Sequence, residues 1–429
     1  MAAARPMTQP IVLVLAGGAA NRFWPLRDKQ LVEFGAYSLL ERHLRALQAL
    51  GCERFVVVVR PDMVDDVREL GGRVDADVRV AVQATARGMG DAVLSAAAAL
   101  TALGEAPLYV TQAHDVVEQR LHADLLAAWS KRTTGVGGLI AAQRVRSYFP
   151  GGYLTLDGPR VTGVVEKPGA GNEPSDLVNL VAHIFESWQA LVAAIELEEK
   201  TSDTDDVYER AVSRLMASSE LHAHVYEGRW QALKYPWHLL DVMEMLLDHW
   251  QRGIESPGPD YEQREPGVFI GKDVRIFNGG YVAAPSLIGH GAIIGNNALV
   301  RGSIIGPRSV VGFGSEVARS YLGEHVELHH NYVGDSVMDR ETSMGYGATT
   351  ANYRLDGRTV PSMVGSKRVD SERMKLGLML GAGSKLGVNT STMPGVKIGA
   401  GAIVGPMLKV VRDVPDADRV LDEEKYGRF

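Results

Sequence analysis

Residues 15–31 read LAGGAANRFWPLRDKQL, and this N-terminal loop decides the interpretation of the first half of the chain. It follows the short apolar run Ile11–Leu15, whose β-branched residues predict a buried parallel strand. Gly17 and Gly18 allow the backbone to turn and to approach a ligand, because neither carries a Cβ atom. The glycine spacing does not match the dinucleotide-binding fingerprint. A strand followed by a glycine turn instead indicates backbone N–H groups presented to a phosphate.

Two basic side chains of the N-terminal loop extend this interpretation. Arg22 and Lys29 follow the glycine turn within the same loop. They place positive charge where a triphosphate and a second phosphate would bind. The residues alone leave an alternative open, in which an ordinary glycine turn carries two solvated cations.

The composition of the whole chain limits the class of protein. A length of 429 residues is enough for two domains with cores of their own. The formal net charge of −7 argues against a nucleic-acid partner, and no apolar run is long enough to span a bilayer, so no membrane partner is expected. The single cysteine, Cys52, excludes an intramolecular disulfide framework and a cysteine metal cluster. These features predict a cytoplasmic protein.

The composition changes about two thirds of the way along the chain. Up to about Gly253, short β-rich runs alternate with alanine- and leucine-rich helical stretches, which predicts a mostly parallel sheet with helices on both faces. Prolines and glycines at 256–267 indicate a linker, and glycine becomes dense afterwards. We therefore predict domains at 1–253 and 268–429 joined by a linker at 254–267. The predicted strands after the first are Phe55–Arg60, Val78–Val82, Leu108–Thr111, Gly138–Gln143 and Val161–Glu166, and the clearest predicted helices are Leu39–Leu50 and Asp91–Leu103.

The N-terminal loop resembles the signature of the sugar-phosphate nucleotidyltransferases, L-A-G-G-x-G-x-R-x-x-P-L followed by P-K-x-L. The chain departs from it at Ala20-Asn21, which replace Gly-Thr, and at Asp28, which replaces proline. The resemblance implies a Rossmann-like α/β nucleotidyltransferase domain. It assigns nucleotide-binding and catalytic roles to positions of the loop: Leu15, Ala16, Gly17 and Gly18 bind the nucleotide, and Arg22 and Lys29 are catalytic.

A second glycine-rich segment, 83–92, follows the predicted strand Val78–Val82. It resembles the base-binding segment Q-x(4)-G-T-G/A-D-A of the same family, with Met89 in the threonine position. The resemblance implies that Gln83 and Gly88 bind the nucleotide, with Gln83 reading the base by paired hydrogen bonds. The alternative is an ordinary helix N-terminus with Asp91 near the cap.

Asp115 follows the predicted strand Leu108–Thr111. A carboxylate at the tip of a buried strand suits Mg²⁺ binding through nucleotide phosphates, and the resemblance implies a metal-binding, catalytic role for Asp115. The alternative is a cap or turn residue.

Residues 230–240 resemble the family segment W-x-D-I-G-x-P-W-D-L-L, but Ala232 replaces the second metal carboxylate and Lys234 replaces the glycine. Substrate phosphates and water would then complete the metal shell, or Lys234 would supply positive charge nearby.

The predicted sugar site comes from three later segments. Gly152 and the Glu166-Lys167-Pro168 segment resemble the family's sugar-binding G-x-(V/L) and E-K-P segments, and Asn179 falls at its N-x-G position. The resemblance implies that Gly152, Glu166, Lys167 and Asn179 bind the sugar phosphate. Val181 replaces the glycine and adds bulk there. A surface salt bridge at a strand end is the alternative for Glu166 and Lys167.

The second half of the chain carries a six-residue repeat of apolar residues. A period of six with small corner residues is typical of hexapeptide repeats, and the resemblance to hexapeptide-repeat proteins implies a left-handed parallel β-helix. The coils of such a β-helix form a triangular prism. The segment Met338–Lys375 interrupts the repeat and suggests a loop that leaves this prism. The repeat positions are Ile270, Ile276, Val282, Ile288, Ile294 and Val300, then Ile305, Val311 and Val317, and finally Leu380, Leu386, Thr392, Ile398, Val404 and Val410.

Residues 329–336, HHNYVGDS, resemble the H-L-x-Y-(V/L)-G-D-(A/S) segment in the acetyltransferase half of bifunctional N-acetylglucosamine-1-phosphate uridyltransferases. The resemblance implies that His329 is the general base on a sugar amine, and imidazole suits that role because its pKa lies near neutral pH. It also implies that Arg301, Tyr332 and Asn352 contact the substrate. The departures are Ala318 in place of a lysine, Ser343 in place of an asparagine and Tyr346 in place of a small residue.

Together these segments predict an enzyme that joins an NTP to a sugar 1-phosphate and releases an NDP-sugar and pyrophosphate, with Mg²⁺ as cofactor. A second, acetyl-CoA-dependent acetylation of an amino-sugar phosphate is predicted for the β-helix, and a homotrimer is predicted through its flat faces. The sequence does not identify the NTP or the sugar. Two alternatives stay open: a catalytically weakened regulatory protein that binds sugar nucleotides, and a prism that serves only for trimerisation.

Overall fold

The computed structural model describes residues 9–18, 20–200 and 206–422. The chain forms two compact units, of which the first comprises Met1–Ala19 and Leu40–Trp230 and the second comprises Ala20–Leu39 and Gln231–Phe429. The N-terminal loop is divided between them, because its glycine pair belongs to the first unit and its basic residues to the second. The domain limits at 253 and 268 stay a prediction.

The N-terminal part of the chain alternates strands and helices. In chain order its elements are β1 (Ile11–Leu15), a 3₁₀ turn (Asn21–Phe23), β2 (Glu33–Phe34), β3 (Tyr37–Ser38), α1 (Leu39–Gln48), β4 (Arg54–Val59), a second 3₁₀ turn (Pro61–Met63), α2 (Val64–Gly71), β5 (Asp77–Val82), α3 (Met89–Ser95), α4 (Ala97–Leu103), β6 (Leu108–Thr111), β7 (Asp115–Val117), α5 (Gln119–Ser130), β8 (Val136–Arg144), β9 (Gly152–Asp157), β10 (Arg160–Glu166), β11 (Leu177–Phe185), α6 (Trp188–Glu199), α7 (Val207–Leu215), β12 (Glu220–Tyr226), β13 (Trp230–Ala232) and α8 (His238–Gln251). None of the helices in the described ranges is long and apolar enough to cross a membrane.

The first unit is built on a nine-stranded sheet in the order β5-β4-β1-β6-β11-β8-β12-β10-β9. Strand β1 is fully buried and runs parallel to both of its neighbours, β4 and β6. This confirms the predicted α/β class and the predicted parallel order on this side of the sheet. Strand β11 runs antiparallel to β6 and β8, so the sheet is mixed rather than mostly parallel. The carboxyl ends of β1, β4, β5 and β6 share one edge, where ligands bind in open α/β sheets.

All five predicted strands after β1 are present, as β4, β5, β6, β8 and β10, within two residues of their predicted limits. The predicted helix Asp91–Leu103 is divided into α3 and α4 at Ala96. Strands β9, β11 and β12 are not predicted from the sequence. They lie on the far side of β6 from β1, and β9 and β11 carry Gly152 and Asn179, two of the residues predicted to bind the sugar phosphate.

The C-terminal part is a series of short strands. In chain order they are β14 (Glu262–Glu265), β15 (Val268–Ile270), β16 (Arg275–Ile276), β17 (Tyr281–Ala283), β18 (Ser286–Ile288), β19 (Ile293–Ile294), β20 (Leu299–Arg301), β21 (Ile304–Ile305), β22 (Val310–Val311), β23 (Glu316–Ala318), β24 (Tyr321–Leu322), β25 (Glu327–Leu328), β26 (Tyr332–Gly334), β27 (Val337–Met338), β28 (Ser343–Met344), β29 (Thr349–Thr350), β30 (Pro361–Val364), β31 (Lys367–Asp370), β32 (Met379–Leu380), β33 (Lys385–Leu386), β34 (Ser391–Thr392), β35 (Lys397–Ile398), β36 (Ile403–Val404), β37 (Lys409–Val410) and β38 (Arg419–Val420).

From β15 onward, the strands of the prism form three parallel sheets, each built from every third strand of the coil. This is the architecture predicted for a left-handed parallel β-helix. The repeat residues from Ile288 to Val317 are 0% exposed, so the six-residue pattern marks the interior as expected. The inward series continues through Leu322, Leu328 and Val333, although some of its intervals shorten to five residues.

The predicted interruption at Met338–Lys375 begins too early. Met344 and Thr350 continue the six-residue series inside the prism, and the chain leaves it only between β29 and β32. The buried Thr350 hydroxyl accepts a hydrogen bond from the Gly334 N–H at 3.0 Å, so a polar residue is accommodated in the core. The predicted repeat includes Thr392, which pairs with Thr350 on the neighbouring strand, but it does not include Thr350. The excursion itself contains the antiparallel hairpin of β30 and β31.

Buried histidines predict a loss of stability in acid. Burial lowers the pKa of His43 and of His183 to about 4, and it also lowers the pKa of His122. Because these pKa values are depressed, the unfolded chain binds more protons below about pH 6.5, and stability falls as the pH drops from 6.5 toward 4. For a fully buried histidine the loss between pH 7.5 and pH 5 is about 2 kcal/mol.

Thermal unfolding at pH 7.5 and pH 5 measures this effect. The difference in Tm between the two pH values should shrink in His43→Gln. It should stay at its wild-type size in His325→Gln, because His325 is exposed. Equal differences in all three proteins would contradict the prediction.

Candidate functional site

The glycine turn after β1 lies directly against the side chain of Gln83. Leu15 ends the strand, and the Ala16 N–H donates to the carbonyl oxygen of Val58 at 2.8 Å, which holds the start of the loop on β4. A Cβ atom at Gly17 would lie 2.4 Å from Gln83 Oε1, so glycine permits this close approach. Two of the predicted nucleotide-binding segments, far apart in sequence, therefore meet here.

Gly18 faces open space, since a Cβ atom there would meet no atom within 4 Å. Its carbonyl oxygen accepts a hydrogen bond from Arg60 Nη1 at 3.2 Å, and Arg60 also pairs with Asp62 at 3.1 Å. The sequence analysis assigns no role to Arg60. The available signal is its position as the last residue of a predicted strand, at the sheet edge where ligands bind.

Gln83 joins the glycine turn to the second glycine-rich segment. Its side chain is 3% exposed, and its Nε2 donates to the Gly88 carbonyl oxygen at 3.1 Å and to Asp91 Oδ2 at 2.7 Å. Gly88 has a φ of 99° and stands immediately before α3. Gly17, Gln83 and Gly88 thus form one cluster. Both amide hydrogens of Gln83 are on protein acceptors, so paired hydrogen bonding to a base would require these bonds to be exchanged.

Asp115 begins β7, shortly after β6, and is half-buried. Its backbone N–H donates to the Gln112 carbonyl oxygen at 3.4 Å, and Gln112 Nε2 donates to Met89 Sδ at 3.0 Å. The Asp115 turn is therefore linked to the start of α3, beside the Gln83 cluster. The described residues contain no group of three or more His, Cys, Asp and Glu side chains placed to hold a metal ion.

The four predicted sugar-phosphate residues lie together on adjacent strands. Gly152 of β9 pairs with Glu166 of β10, and a Cβ atom on Gly152 would lie 3.2 Å from Glu166 Oε2 and 3.7 Å from Asn179 Cβ. Lys167 Nζ lies 2.8 Å from Glu166 Oε1. The absence of a side chain on Gly152 allows a carboxylate and an amide to approach the strand backbone closely, and these are groups that bind sugar hydroxyls.

Two residues outside the predicted set orient Asn179. His183 Nε2 lies 2.7 Å from Asn179 Oδ1, and His183 Nδ1 lies 2.8 Å from the Tyr208 hydroxyl. Burial lowers the pKa of His183 to about 4, so the ring is neutral. Because an amide oxygen only accepts, Nε2 carries the ring proton and Nδ1 accepts from Tyr208. This arrangement directs the Asn179 amide nitrogen, a donor, away from His183.

The basic half of the N-terminal loop belongs to the second unit. Arg22 is exposed on the short 3₁₀ turn, and Lys29 Nζ donates to the Leu233 carbonyl oxygen at 3.2 Å. Leu233 lies between Ala232 and Lys234, the two positions where the chain departs from the family pattern.

Several cations surround His238, at the start of α8. Burial, together with the positive charges of Lys234, Arg373 and Lys29, lowers the pKa of His238 to about 4. His238 Nδ1 lies 2.7 Å from the Ala232 carbonyl oxygen, and the Lys234 N–H also points at this nitrogen at 3.2 Å. The segment that lacks the second carboxylate thus holds Lys29 and Lys234, whereas the Arg373 guanidinium is paired with the carboxylates of Asp241 and Glu244.

In the prism, Arg301, Ala318 and Gly334 stand side by side on consecutive strands of one sheet. The Arg301 guanidinium pairs with Glu316 at 2.6 Å. Ala318 is fully buried, so the position of the missing lysine offers no charge. Arg319 follows it directly and forms a bidentate pair with Asp335 at 2.7 and 2.6 Å, so its charge is already matched by a carboxylate.

Tyr332 and Asn352 meet above this sheet. Asn352 Nδ2 lies 3.2 Å from the Tyr332 hydroxyl and 2.5 Å from Asp335 Oδ2. Two of the predicted substrate contacts are therefore brought together, with Asp335 as a further member that the sequence analysis does not assign. Because the Asn352 amide donates to Asp335, its orientation is set.

His329 occupies the exposed corner between β25 and β26. Its backbone N–H donates to Asn331 Oδ1, and Asn331 Nδ2 donates to the carbonyl oxygens of Gly345 and Ala348 at 2.8 and 2.9 Å. The buried Asn331 side chain therefore holds the corner that presents the His329 imidazole to solvent.

Beside His329, three rings stack along the same corner of successive coils. His330 lies between Phe313 and Tyr346, with ring centroids 5.9 and 5.0 Å away and interplanar angles of 17° and 12°. Tyr346, which replaces the small residue of the family pattern, is thus a stacking partner and is 58% exposed. Ser343, the third departure, lies half-buried on β28.

Comparisons with known proteins agree with this architecture. A family model described as Nucleotidyl transferase matches residues 11–247. The bifunctional sugar-1-phosphate nucleotidylyltransferase/acetyltransferase of Sulfurisphaera tokodaii is 28% identical over 418 residues, covering 94% of this chain and 97% of that protein. The bifunctional protein GlmU of Methanocaldococcus jannaschii is 26% identical over 300 residues, covering 64% of this chain and 67% of that protein. Because the family model matches more than half of its residues, the chain belongs to the nucleotidyl transferase family.

Proposed function

We propose that this enzyme transfers a nucleotidyl group from an NTP to a sugar 1-phosphate, releasing an NDP-sugar and pyrophosphate. The observation that carries the proposal is the cluster of Gly152, Glu166, Lys167 and Asn179, which brings a carboxylate, an amide and a cation together around one glycine. Membership of the nucleotidyl transferase family and the names of the relatives support the same chemistry.

In this reaction an oxygen of the sugar 1-phosphate attacks the α-phosphorus of the NTP, and pyrophosphate leaves. The protein acts by alignment and charge neutralisation, without a covalent enzyme intermediate. Arg22 and Lys29 hold the phosphates, and the Gly17 and Gly18 turn receives the nucleotide. Glu166 accepts from sugar hydroxyls, Asn179 donates to a sugar oxygen, and Lys167 meets the sugar phosphate as a point charge.

Mg²⁺ fits this site through Asp115. Mg²⁺ is commonly bound by one or two carboxylates together with substrate phosphates and waters. The carboxylate of Asp115 is therefore enough as the protein ligand, and no cluster of acidic residues is needed. When bound, the ion neutralises charge on the nucleotide phosphates. The buried Ala232 offers no second carboxylate, and Lys29 and Lys234 add positive charge in the second unit.

Release of pyrophosphate with each of the four common NTPs against a panel of sugar 1-phosphates tests this function. One or more pairs should give Mg²⁺-dependent release. A protein that binds an NTP but releases no pyrophosphate with any sugar phosphate would instead be the regulatory sugar-nucleotide-binding protein that the departures at Ala232, Val181 and Ala318 leave as the alternative.

A second activity is proposed for the prism, in which an acetyl group passes from acetyl-CoA to the amine of an amino-sugar phosphate. His329 would take the amine proton as general base, while Arg301, Tyr332 and Asn352 contact the acceptor. The Tyr332–Asn352 contact and the name of the Sulfurisphaera relative support this role. We further propose that three chains form a homotrimer packed through the flat faces of the prism. We also propose a cytoplasmic location, because the chain has a single cysteine, Cys52, which is buried and unpaired with another cysteine.

The hydrogen bond from His183 to Asn179 predicts a selective effect on sugar binding. His183→Phe keeps the ring volume but leaves Asn179 free to rotate, and removing one hydrogen bond of this kind costs about 1 kcal/mol. We therefore expect the KM for the sugar 1-phosphate to rise about fivefold. The KM for the NTP should not change, and an equal rise for both substrates would indicate a general structural defect instead.

A further inference from the structure

The Trp24 side chain lies in the N-terminal loop between the two catalytic cations, Arg22 and Lys29, and it is held by the C-terminal end of the prism. Trp24 Nε1 donates to Asp416 Oδ1 at 2.8 Å. Arg27 Nη2, on the same loop, donates to Asp416 Oδ2 at 3.3 Å. We propose that Asp416 is a positioning residue for nucleotidyl transfer, and that the last coil of the β-helix sets the conformation of the loop that binds the NTP phosphates.

Asp416 is itself fixed to the prism. Its Oδ1 also accepts a hydrogen bond from the Ala400 N–H at 2.9 Å, one coil earlier. A single carboxylate therefore connects the backbone of the prism to two side chains of the N-terminal loop. Because Ala400 is a main-chain donor in a regular coil, the position of the carboxylate is set by the prism and not by the loop.

A second contact reaches the face of the Trp24 ring. Lys397 Nζ lies 5.0 Å from the ring centroid, within the range of a cation–π interaction. The Lys397 side chain is buried, and its ammonium group bonds to the Met363 carbonyl oxygen and lies 3.8 Å from Asp413. This ammonium group is thus held in place by the prism before it contacts the ring.

The loop backbone and its distal end are held as well. The Pro25 carbonyl oxygen lies 2.9 Å from where a Cβ atom on Gly381 would be, so the prism backbone touches the loop directly. Further along, the Tyr321 hydroxyl donates to the Glu33 carbonyl oxygen at 2.9 Å, and the Tyr321 ring lies 5.3 Å from that of Phe34. Lys29 therefore lies between two segments that are both attached to the prism.

These attachments matter because the loop has little structure of its own. Between Ala20 and Val32 it forms only one three-residue 3₁₀ turn. Catalysis that rests on alignment is sensitive to displacements of about 1 Å, which can lower the rate about a hundredfold. This inference rests on the proposed nucleotidyl transfer. It adds that the reaction requires residues of the prism that contact neither the nucleotide nor the sugar.

The test compares Asp416→Ala with Asp418→Ala, a nearby control whose carboxylate accepts from its neighbour's backbone N–H at 2.8 Å. We expect Asp416→Ala to lower kcat for pyrophosphate release at least tenfold with little change in the KM for the sugar 1-phosphate. Asp416→Asn keeps the Oδ1 acceptor and should recover most of the loss. Trp24→Phe keeps an aromatic ring but removes the pyrrole part of the indole together with its N–H, and combining it with Asp416→Ala should add little to the loss from Asp416→Ala alone.

Limited trypsin digestion gives a readout that does not depend on activity. Release of the Trp24 contact should speed cleavage after Arg22, Arg27 or Lys29 in Asp416→Ala but not in Asp418→Ala, as measured from the mass of the N-terminal fragments. Wild-type kinetics and wild-type cleavage in Asp416→Ala would overturn the inference. If the wild type itself releases no pyrophosphate, the proposed function fails and the digestion alone decides whether the prism holds the loop. If Asp416→Ala does not fold, Trp24→Phe provides both measurements.

Discussion

Replacing Lys29 with alanine should lower kcat for nucleotidyl transfer about 100- to 1,000-fold, the usual loss when one preorganised group that stabilises developing charge is removed. Lys29 is one of the two proposed phosphate-binding cations of the N-terminal loop. Its ammonium group is held by the Leu233 carbonyl oxygen at 3.2 Å, so the charge is placed before substrate binds. A coupled pyrophosphate assay under saturating substrates measures the effect.

The matched control for this variant is Lys131→Ala, which removes an exposed lysine at the end of α5. It should retain wild-type turnover. Lys29→Arg restores the charge and should recover part of the loss, because a guanidinium differs in shape from an ammonium group. Unchanged turnover in Lys29→Ala would remove the residue from the proposed mechanism.

Replacing His329 with alanine should reduce acetyl transfer by about 100- to 10,000-fold, the range that a general base contributes. The side chain stands at an exposed corner whose backbone is held by Asn331. The variant therefore removes the imidazole without removing a core residue, and the fold should survive. Thiol release from acetyl-CoA, with glucosamine 1-phosphate and galactosamine 1-phosphate as acceptors, measures the effect.

Two controls separate this site from the first activity. Pyrophosphate release should be unchanged in His329→Ala, and thiol release should be unchanged in His325→Ala, an exposed histidine at another corner of the prism. No thiol release from the wild type with either acceptor would count against acetyl transfer. A monomeric mass in solution would separately contradict the trimer.

The sequence predicts the prism well because each inward residue is recognised by its own apolar side chain. The repeat residues from Ile288 to Val317 mark the interior at intervals of six residues with one interval of five, and the structure buries all of them. The pattern fails at Thr350, whose buried hydroxyl is satisfied by the Gly334 N–H and so is compatible with the core. The repeat is recognised from the spacing and the polarity of its inward residues. Thr350 is missed because it is polar, although its hydrogen bond to the Gly334 N–H allows it to be buried.

Candidate site residues could be selected from the sequence where they belong to a local segment, but not where they depend on contacts across the sheet. Glu166 and Asn179 follow from local segments, and the structure brings them together beside Gly152. His183 carries no local signal, because its role arises from Asn179 on one side and Tyr208 on the other. Whether Gln83 offers its amide to a base or to Gly88 is likewise decided by neighbours that the sequence does not place.

The hydrogen bond between Trp24 and Asp416 joins residues that are 392 positions apart. At about 5 to 20 residues per second, a ribosome takes roughly 20 to 80 seconds to add that length of chain. For that time the newly made N-terminal loop lacks the partner that holds it, however early the neighbouring sheet folds. The nascent chain therefore emerges with its N-terminal loop incompletely held until the coil that carries Asp416 has been synthesised.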